Sequence, residues 1–306
     1  MRLTLAENFR ALFYAPFYAL KAGDFCSREG LHVEWLDSDT PGGAIEAVKS
    51  GAIDLSWGGP MRVLKDRDSH PAGGGSLLSF GEVVSRDPFC LVGRHGRFGD
   101  GARSFALSDL TDLRMAIVSE VPTPWLCLQA DLRDAGVDVS ALSGENIIDD
   151  LTMPRQLQAL EEGSVDVVQL FEPYVSEALA AGARLLYAAA DRGPTVYTTF
   201  ICSQEGLQRH RPAFLALLRA LHAMQKWMVD AGPDALADTV APFFPELSPA
   251  VLRAGIRRYH ACGLWARHPE VSRAGFARLS ESLHGSGFIS AALPYESCVH
   301  VFGESS

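Results

Sequence analysis

The chain has 306 residues, of which 47% are hydrophobic and 21% are charged, and its formal net charge is −10. This composition is typical of a globular protein of one large or two ordinary domains, and it excludes a fibrous or disordered chain. Lysine occurs only at positions 21, 49, 65 and 226, without a basic stripe, so the sequence argues against nucleic-acid binding.

The sequence contains no apolar run of about 18 residues, so we expect no membrane span. It opens MRLTLAENFR without the features of a signal peptide, and we therefore expect a cytoplasmic protein as written, or a periplasmic one if a leader was removed. The six cysteines lie far apart and form no C-x-x-C pair, which predicts buried thiols rather than a disulfide framework. We expect no cofactor and no metal.

Strand-like and helix-like segments alternate as far as Cys202. We predict strands at Leu3–Ala6, His32–Leu36, Ile53–Trp57, Leu77–Val84, Phe89–Val92, Arg114–Val118, Val165–Leu170, Arg184–Tyr187 and Val196–Cys202. The helices between them are predicted near Pro16–Arg28, Gly43–Ser50, Pro124–Ala135, Pro154–Glu162 and Glu172–Ala181. This alternation predicts β-α-β units and mainly parallel sheets.

Beyond Cys202 the pattern is helical throughout. Helices are predicted at Pro212–Met228, Asp234–Ala241, Pro249–His260 and Glu270–His284. In the first of them, apolar side chains recur at helical spacing, which is typical of core packing rather than of a cofactor site.

An internal similarity relates the two parts of the alternating region. The segment EAVKSGAIDL (46–55) is similar to QALEEGSVDV (158–167), with Gly51 and Gly163 placed to end a helix in the left-handed conformation. Asp54 and Asp166 follow at the same place in the next strand. Further matches in the same order pair LTLA (3–6) with LRMA (113–116), Pro16–Phe17 with Pro124–Trp125, and REGLHVEWL (28–36) with DAGVDVSAL (134–142). The order predicts two lobes built on one plan, although convergence on a common plan would look the same.

Two such lobes would enclose a ligand cleft. Ligands of open α/β sheets bind outside the carboxyl ends of the strands, where the following helices present free N–H groups and a partial positive charge. In the first half, the candidate contacts after the first strand are Asn8, Arg10 and Tyr14, the last of which could equally be core. At the next strand-to-helix turn they are Trp57, Gly58, Gly59 and Pro60, for which the alternative is a plain tight turn.

The second half offers the corresponding positions. SEVPTPW (119–125) supplies hydroxyl groups at Ser119 and Thr123, an indole at Trp125 and a helix N-terminus that favours an anion, the alternative being a simply capped helix. Glu172 follows the matching strand, where it could hold a ligand amine or cap a helix. Tyr197 completes the predicted ligand-binding set. No catalytic motif such as G-x-S-x-G or H-E-x-x-H occurs, so no catalytic residue is predicted.

Several of these segments, taken in order, resemble one known family. They are residues 5–36, AIEAVKSGAIDLSWGGP (44–60), LRMAIVSEVPTPWLCLQADLRDAGV (113–137), GSVDVVQLFEPYV (163–175) and residues 268–296. The chain resembles the substrate-binding proteins for sulfonates, taurine, nitrate and the pyrimidine precursor of thiamine. The resemblance implies an α/β fold of two doubly wound lobes with a ligand cleft between them, as in type II periplasmic binding proteins. It implies one lobe of residues 1–93 and 202–306 and an inserted lobe of residues 94–201.

The function that this resemblance implies is non-catalytic. We expect hinge closure on a small, anionic or aromatic metabolite by the solute-binding component of an ABC-type importer. The implied partners are the ligand and an ABC permease, and we expect a monomer. The alternative is a cytosolic enzyme similar to the thiamine-pyrimidine synthase, or a cytosolic ligand sensor. The segment YTTFIC (197–202) carries one cysteine where the synthase has a cluster, and Arg62 or Val63 stands where it has a histidine, which argues against the enzyme.

Overall fold

The computed structural model describes residues 1–38, 40–70, 73–98, 104–118, 120–142, 144 and 146–303. The chain divides into two compact units. The first unit comprises Met1–Arg86 and Gly193–Ser306, and the second unit comprises Asp87–Arg192. Each unit contains one sheet flanked by helices, so the predicted α/β class is confirmed.

The first unit is built on a five-stranded mixed sheet in the order β2-β1-β3-β10-β4. β1 is parallel to both β2 and β3, whereas β10 is antiparallel to β3 and β4, so the expectation of mainly parallel sheets is wrong. The parallel neighbours therefore end at the same edge of the sheet. The strands are β1 (Arg2–Ala6), β2 (His32–Leu36), β3 (Leu55–Gly58), β4 (Leu77–Val84) and β10 (Thr198–Ser203).

Helices cover this sheet and form the rest of the first unit. They are α1 (Ala15–Ala22), α2 (Phe25–Arg28), α3 (Ile45–Lys49), α4 (Met61–Asp68), α8 (Gln204–Val240), α9 (Pro249–Ala261), α10 (Arg273–Gly285) and α11 (Tyr295–Cys298). Ser203, Ser248 and Ser272 begin α8, α9 and α10, and each hydroxyl accepts a hydrogen bond from a backbone N–H in the first turn.

Two predicted helices of the carboxyl-terminal region prove to be parts of one long element. Pro212–Met228 and Asp234–Ala241 lie within or at the end of α8, which bends at His210 and Gly232, where the backbone leaves helical geometry. Pro212 and Pro233 follow these positions closely, and a proline disrupts the hydrogen bonding of the preceding turn.

The second unit repeats the strand arrangement of the first. Its five-stranded sheet has the order β7-β6-β8-β5-β9, with β6 parallel to β7 and β8 and with β5 antiparallel to β8 and β9. The strands are β5 (Cys90–Gly93), β6 (Met115–Ala116), β7 (Ile147–Ile148), β8 (Val167–Leu170) and β9 (Arg184–Ala188). The helices are α5 (Thr123–Asp134), α6 (Met153–Glu162) and α7 (Tyr174–Ala180).

The internal similarity of the sequence has a structural counterpart in most of its matches, with one correction. The predicted match of HVEWL (32–36) to DVSAL (138–142) fails, because Val139–Ala141 forms a 3₁₀ turn and the edge strand β7 comes later, at a position that the sequence did not predict. Loop length between matching elements is therefore less well preserved than the elements.

The lobe ranges expected from the resemblance, 1–93 with 202–306 and 94–201, stay a prediction. The expected boundary between residues 93 and 94 falls at the end of β5, which belongs to the second unit, and that between residues 201 and 202 falls within β10, which belongs to the first. The two units meet along the chain at Arg86–Asp87 and at Arg192–Gly193.

No disulfide joins any of the six cysteines, all of which lie in the described part of the chain, and five of them are buried. The prediction of buried thiols is confirmed for those five, while Cys262 is half-buried. Among the described helices, none is long and apolar enough to cross a membrane.

Candidate functional site

The carboxyl ends of β1 and β3 bring the candidate residues of the first unit to one edge of its sheet. β1 and β3 run side by side in the same direction. Residues that follow β1, such as Asn8, therefore lie near residues that follow β3, such as Gly59. This edge is where an α/β sheet binds its ligands.

Asn8 is buried, and both polar atoms of its side-chain amide form hydrogen bonds with other residues of the chain. Its Nδ2 donates to Tyr14 Oη at 2.9 Å, and its Oδ1 accepts from the backbone N–H of Gly42 at 2.6 Å. Asn8 thereby joins the loop after β1 to the turn that leads into α3. The side chain is engaged in holding the protein together at the sheet edge.

Arg62 is the principal functional candidate that the sequence analysis did not include in its site. It stands in the first turn of α4, where a cation opposes the positive end of the helix dipole. A Cβ built on Gly42 would lie 2.8 Å from Arg62 Nε and 2.9 Å from Nη2, and one built on Gly58 would lie 3.6 Å from Nη1. The guanidinium is therefore packed against the backbone of Gly42, in the turn before α3, and against that of Gly58, the last residue of β3.

Arg62 is also unusual in its electrostatic surroundings. Burial lowers the pKa of its guanidinium below the ordinary value, while the hydroxyls of Tyr14 and Tyr197 act in the opposite direction. Among the described residues, no carboxylate forms an ion pair with Arg62 within 4.0 Å. A half-buried cation with no acidic partner in this part of the chain can accept the charge of an anion.

Arg10, which the sequence analysis did select, has a different environment. Its guanidinium is exposed, with Nη2 3.4 Å from Glu7 Oε1 and 3.6 Å from Asp37 Oδ1. It also lies over the ring of Tyr18, at 5.9 Å from the centroid. Its charge is already balanced by neighbours, so Arg62 is the better candidate for an anion contact.

The aromatic candidates of the first unit are buried. Trp57 is 2% exposed and stacks on Phe17 with centroids 4.3 Å apart, and Tyr14 meets its edge at 6.0 Å. Burial raises the pKa of Tyr14 to about 12. Among the described residues, the Trp57 indole N–H has no hydrogen-bond partner. Phe9, which is only half-buried and lies edge-on to Tyr14 at 5.3 Å, has the more accessible ring.

The turn from β3 into α4 is tight and closely packed. Gly58 is buried, Gly59 is half-buried, and Pro60 occupies the N-cap position of α4. A Cβ on Gly59 would lie 3.4 Å from Met61 Cγ and 3.5 Å from the carbonyl oxygen of Tyr197. Tyr197 itself is buried.

The second unit holds the remaining predicted residues. Ser119 lies outside the described residues. Thr123, buried, is the first residue of α5, and Trp125 is half-buried against the hydrophobic core of this unit. Glu172 is fully buried, and its Oε2 accepts from the backbone N–H of Ser176 at 3.0 Å, as a helix cap does. That these residues and those of the first unit line one cleft remains a prediction.

Within the described ranges, no group of three or more His, Cys, Asp or Glu side chains is arranged to hold a metal ion. The described polar side chains at the first unit's sheet edge include the Arg62 guanidinium, the Asn8 amide and the hydroxyls of Tyr14 and Tyr197. These groups suit the recognition of an oxyanion by charge and hydrogen bonding.

Known proteins are similar to this chain in sequence. The sequence profile of the NMT1-like family matches residues 9–241. A Bacillus subtilis (strain 168) protein named "Putative binding protein YtlA" is 22% identical over 305 residues, covering 98% of this chain and 87% of that protein.

Two solved structures are similar over nearly the whole chain. The periplasmic aliphatic sulphonate binding protein SsuA from Escherichia coli superposes with a TM-score of 0.75 at 15% identity, covering 100% of this chain and 95% of that one. The alkanesulfonate-binding protein SsuA from Xanthomonas axonopodis pv. citri, bound to MOPS, gives a TM-score of 0.70 at 17% identity, covering 98% of each. With most of its length matched by the family profile and its fold shared with these periplasmic proteins, the chain belongs to the NMT1-like family and has the periplasmic binding-protein fold.

Proposed function

We propose that this chain is the solute-binding component of an ABC-type importer and that it binds a small organic anion without transforming it. The observation that carries the proposal is Arg62, half-buried beside the end of β3 with no ion-paired carboxylate among the described residues. The names of the relatives support the same class of function, since they describe binding proteins and, for two of them, sulfonates.

Burying a charged side chain costs free energy. Removing a guanidinium from water is unfavourable unless an opposite charge or several hydrogen-bond acceptors replace the lost hydration. An anionic ligand supplies that charge, and the N-terminus of α4 adds to the favourable potential. Gly42 and Gly58 let the guanidinium lie close to the backbone, because neither carries a side chain that would displace it.

We propose a sulfonate as the ligand class, with nitrate and the thiamine-pyrimidine precursor as the competing classes. A sulfonate carries a full negative charge and three acceptor oxygens, which match the donors of an arginine fork. The half-buried ring of Phe9, edge-on to Tyr14, provides apolar surface for a flat or aliphatic body. Hinge closure and delivery to a permease are parts of the same proposal.

The first prediction concerns Arg62→Gln. We expect benzenesulfonate to stabilise the wild-type protein against heat and the neutral benzenesulfonamide to have little effect, because only the former carries the charge. Arg62→Gln should weaken benzenesulfonate binding by roughly 30-fold or more, in line with about 2–5 kcal/mol for loss of one partner of a desolvated charge pair. Isothermal titration calorimetry measures the affinity, and nitrate and 4-amino-5-hydroxymethyl-2-methylpyrimidine complete the panel.

The matched control is Arg2→Gln. It removes the same charge from an exposed arginine at the opposite end of β1, where the guanidinium pairs with Glu34. Its affinity should equal that of the wild type. Equal binding by Arg62→Gln and wild type, or preference for the neutral compounds, would contradict the proposed anion site.

A further inference from the structure

Asn8 and Arg62 both approach Gly58, the last residue of β3. A Cβ built on Gly58 would stand 3.6 Å from Arg62 Nη1 and 3.7 Å from Asn8 Nδ2. The amide of Asn8 and the guanidinium therefore border the same small space at the end of β3. Among the described residues, no carboxylate forms an ion pair with Arg62, and the Asn8 amide that borders this space is neutral.

The orientation of the Asn8 amide follows from its partners. The backbone N–H of Gly42 can only donate, so the atom that faces it at 2.6 Å is Oδ1, and Nδ2 faces Tyr14 Oη. Gly42 has a φ of 77°, which suits glycine, and its Cα packs against the guanidinium of Arg62. Asn8 thus holds the backbone on which Arg62 rests.

We infer that Asn8 is a positioning residue for Arg62, which fixes the Gly42 turn against the guanidinium and, being neutral, leaves the charge of Arg62 available to the ligand. This inference rests on the proposed function, in which Arg62 contacts the anion. It assigns Asn8 an indirect role, since both ends of its amide are already occupied by Tyr14 and Gly42.

The isosteric variant Asn8→Asp tests the inference most directly. The new carboxylate can still accept from the Gly42 N–H, but it places a negative charge beside Arg62 and competes with the ligand. We expect Asn8→Asp to bind benzenesulfonate at least about tenfold more weakly than the wild type. Asn146→Asp, which adds the same charge at the chain's other asparagine, should bind within about twofold of the wild type.

A second readout needs no ligand. In Asn8→Asp, the carboxyl group at position 8 should titrate well below the ordinary aspartate range because of the adjacent guanidinium, and this effect should disappear in the Asn8→Asp, Arg62→Gln double variant. Carbon-13 NMR of labelled aspartate follows the titration. A purely structural role for Asn8 would not make this titration depend on Arg62.

A steric variant keeps the inference falsifiable if Asn8→Asp does not fold. Gly42→Ala places a Cβ 2.8 Å from Arg62 Nε and should weaken benzenesulfonate binding at least about tenfold, because the guanidinium must move. Gly51→Ala is its control, since Gly51 has a similar φ of 74° and its Cβ would meet nothing closer than 3.9 Å. Both variants carry the same backbone strain, so only the Gly42 change should reduce affinity.

The outcomes separate the inference from the function on which it rests. Wild-type affinity in Asn8→Asp, or equal losses in Gly42→Ala and Gly51→Ala, would overturn the role of Asn8 while leaving an Arg62 anion site intact. Failure of Arg62→Gln to reduce binding would overturn the proposed function. In that case the NMR titration of Asn8→Asp, which needs no ligand, still tests whether the carboxyl group at position 8 interacts with Arg62. An unchanged titration in the Asn8→Asp, Arg62→Gln double variant would refute that interaction.

Discussion

At the scale of single residues, burial shifts the pKa of two ionisable side chains in the first unit. Arg62 lies at the sheet edge, and Glu82 lies in the middle of β4, where it is 2% exposed. Burial raises the pKa of Glu82 to about 7, although the backbone N–H of Ser272 donates to its Oε2 at 2.6 Å and favours the ionised form. One hydrogen bond is not enough to compensate a carboxylate for the loss of water.

The pH dependence of stability follows from this shift. Because the pKa of Glu82 is higher in the folded than in the unfolded chain, its contribution to stability is fully present below about pH 4.5 and is lost as the pH rises through about 7. Between about pH 4.5 and about pH 7, we expect this group to cost the wild type about 2–4 kcal/mol of unfolding free energy, at about 1.4 kcal/mol per pKa unit. Glu82→Gln should not show this loss. Urea denaturation at a series of pH values measures it.

The control for this experiment is Glu281→Gln, which neutralises an exposed glutamate on α10. It should leave the pH profile of the wild type almost unchanged. A Glu82→Gln profile that parallels the wild type would show that Glu82 titrates alike in the folded and unfolded chain.

At the scale of elements, the two matching helix-to-strand connections are built alike. Gly51 and Gly163 both have positive φ, 74° and 73°, as their place at a helix end predicted. Asp54 Oδ2 then accepts from the backbone N–H of Thr4 at 2.7 Å, and Asp166 Oδ2 accepts from the corresponding N–H of Arg114 at 3.2 Å. In each unit the aspartate ties its strand to the beginning of the neighbouring parallel strand.

The two aspartates should differ in energetic weight. Asp54 accepts two hydrogen bonds from Thr4, through the backbone N–H and the hydroxyl, whereas Asp166 makes one longer bond and is otherwise close to the partly exposed Arg94 and Arg97. We expect Asp54→Ala to cost about 2 kcal/mol of unfolding free energy and Asp166→Ala about 1 kcal/mol, from the usual worth of such bonds. Chemical denaturation of the purified variants measures both.

Thr4→Val serves as the control for this comparison, since it keeps the Thr4 backbone N–H but removes the hydroxyl, which donates to Asp54 Oδ2 and accepts from the Asp54 N–H. Its cost should fall below that of Asp54→Ala. If Asp166→Ala proved the more damaging variant, the ranking from hydrogen-bond number and length would be wrong.

At the scale of the whole molecule, the second unit has a buried ionic contact that joins its two ends. Arg192, the last residue of this unit, places Nη1 3.0 Å from Asp87 Oδ2, and Asp87 is the first residue. The same guanidinium donates from Nε to Asp131 Oδ1 on α5 at 2.6 Å. Only 6% of the Arg192 side chain is exposed, so this contact pins both ends of the inserted segment to its own core.

The ionic contact between the two ends of the second unit predicts that residues 87–192 form an independent folding unit. We expect the isolated fragment to unfold cooperatively in urea and to give a dispersed amide NMR spectrum. Arg192→Met in the fragment should cost about 3–5 kcal/mol, because it leaves two buried carboxylates without their cation. Arg155→Met, at an exposed position of α6, should leave the fragment's stability unchanged. A disordered wild-type fragment would refute the prediction.

Much of the fold could be predicted from the sequence, because the relevant signals are local. The strand runs, the helix-ending glycines and the helical carboxyl-terminal region each depend on neighbouring residues, and these predictions were confirmed. β7 was missed because it has two residues and no periodicity to detect. At the candidate site, a signal for Arg62 was present, namely a cation in the first turn of a helix that follows Gly-Gly-Pro.

The sequence by itself determined the class of fold, the repeated arrangement of strands and the edge of the sheet at which to search for a site. Only the tertiary structure decided which side chains at that edge are already used and which are available. Asn8, Gly42 and Arg62 lie far apart along the chain, and their contacts follow from strand pairing and helix placement. Burial of Trp57 and the pairing of Arg10 are decided in the same way, because exposure and charge balance depend on neighbours that local sequence patterns do not specify.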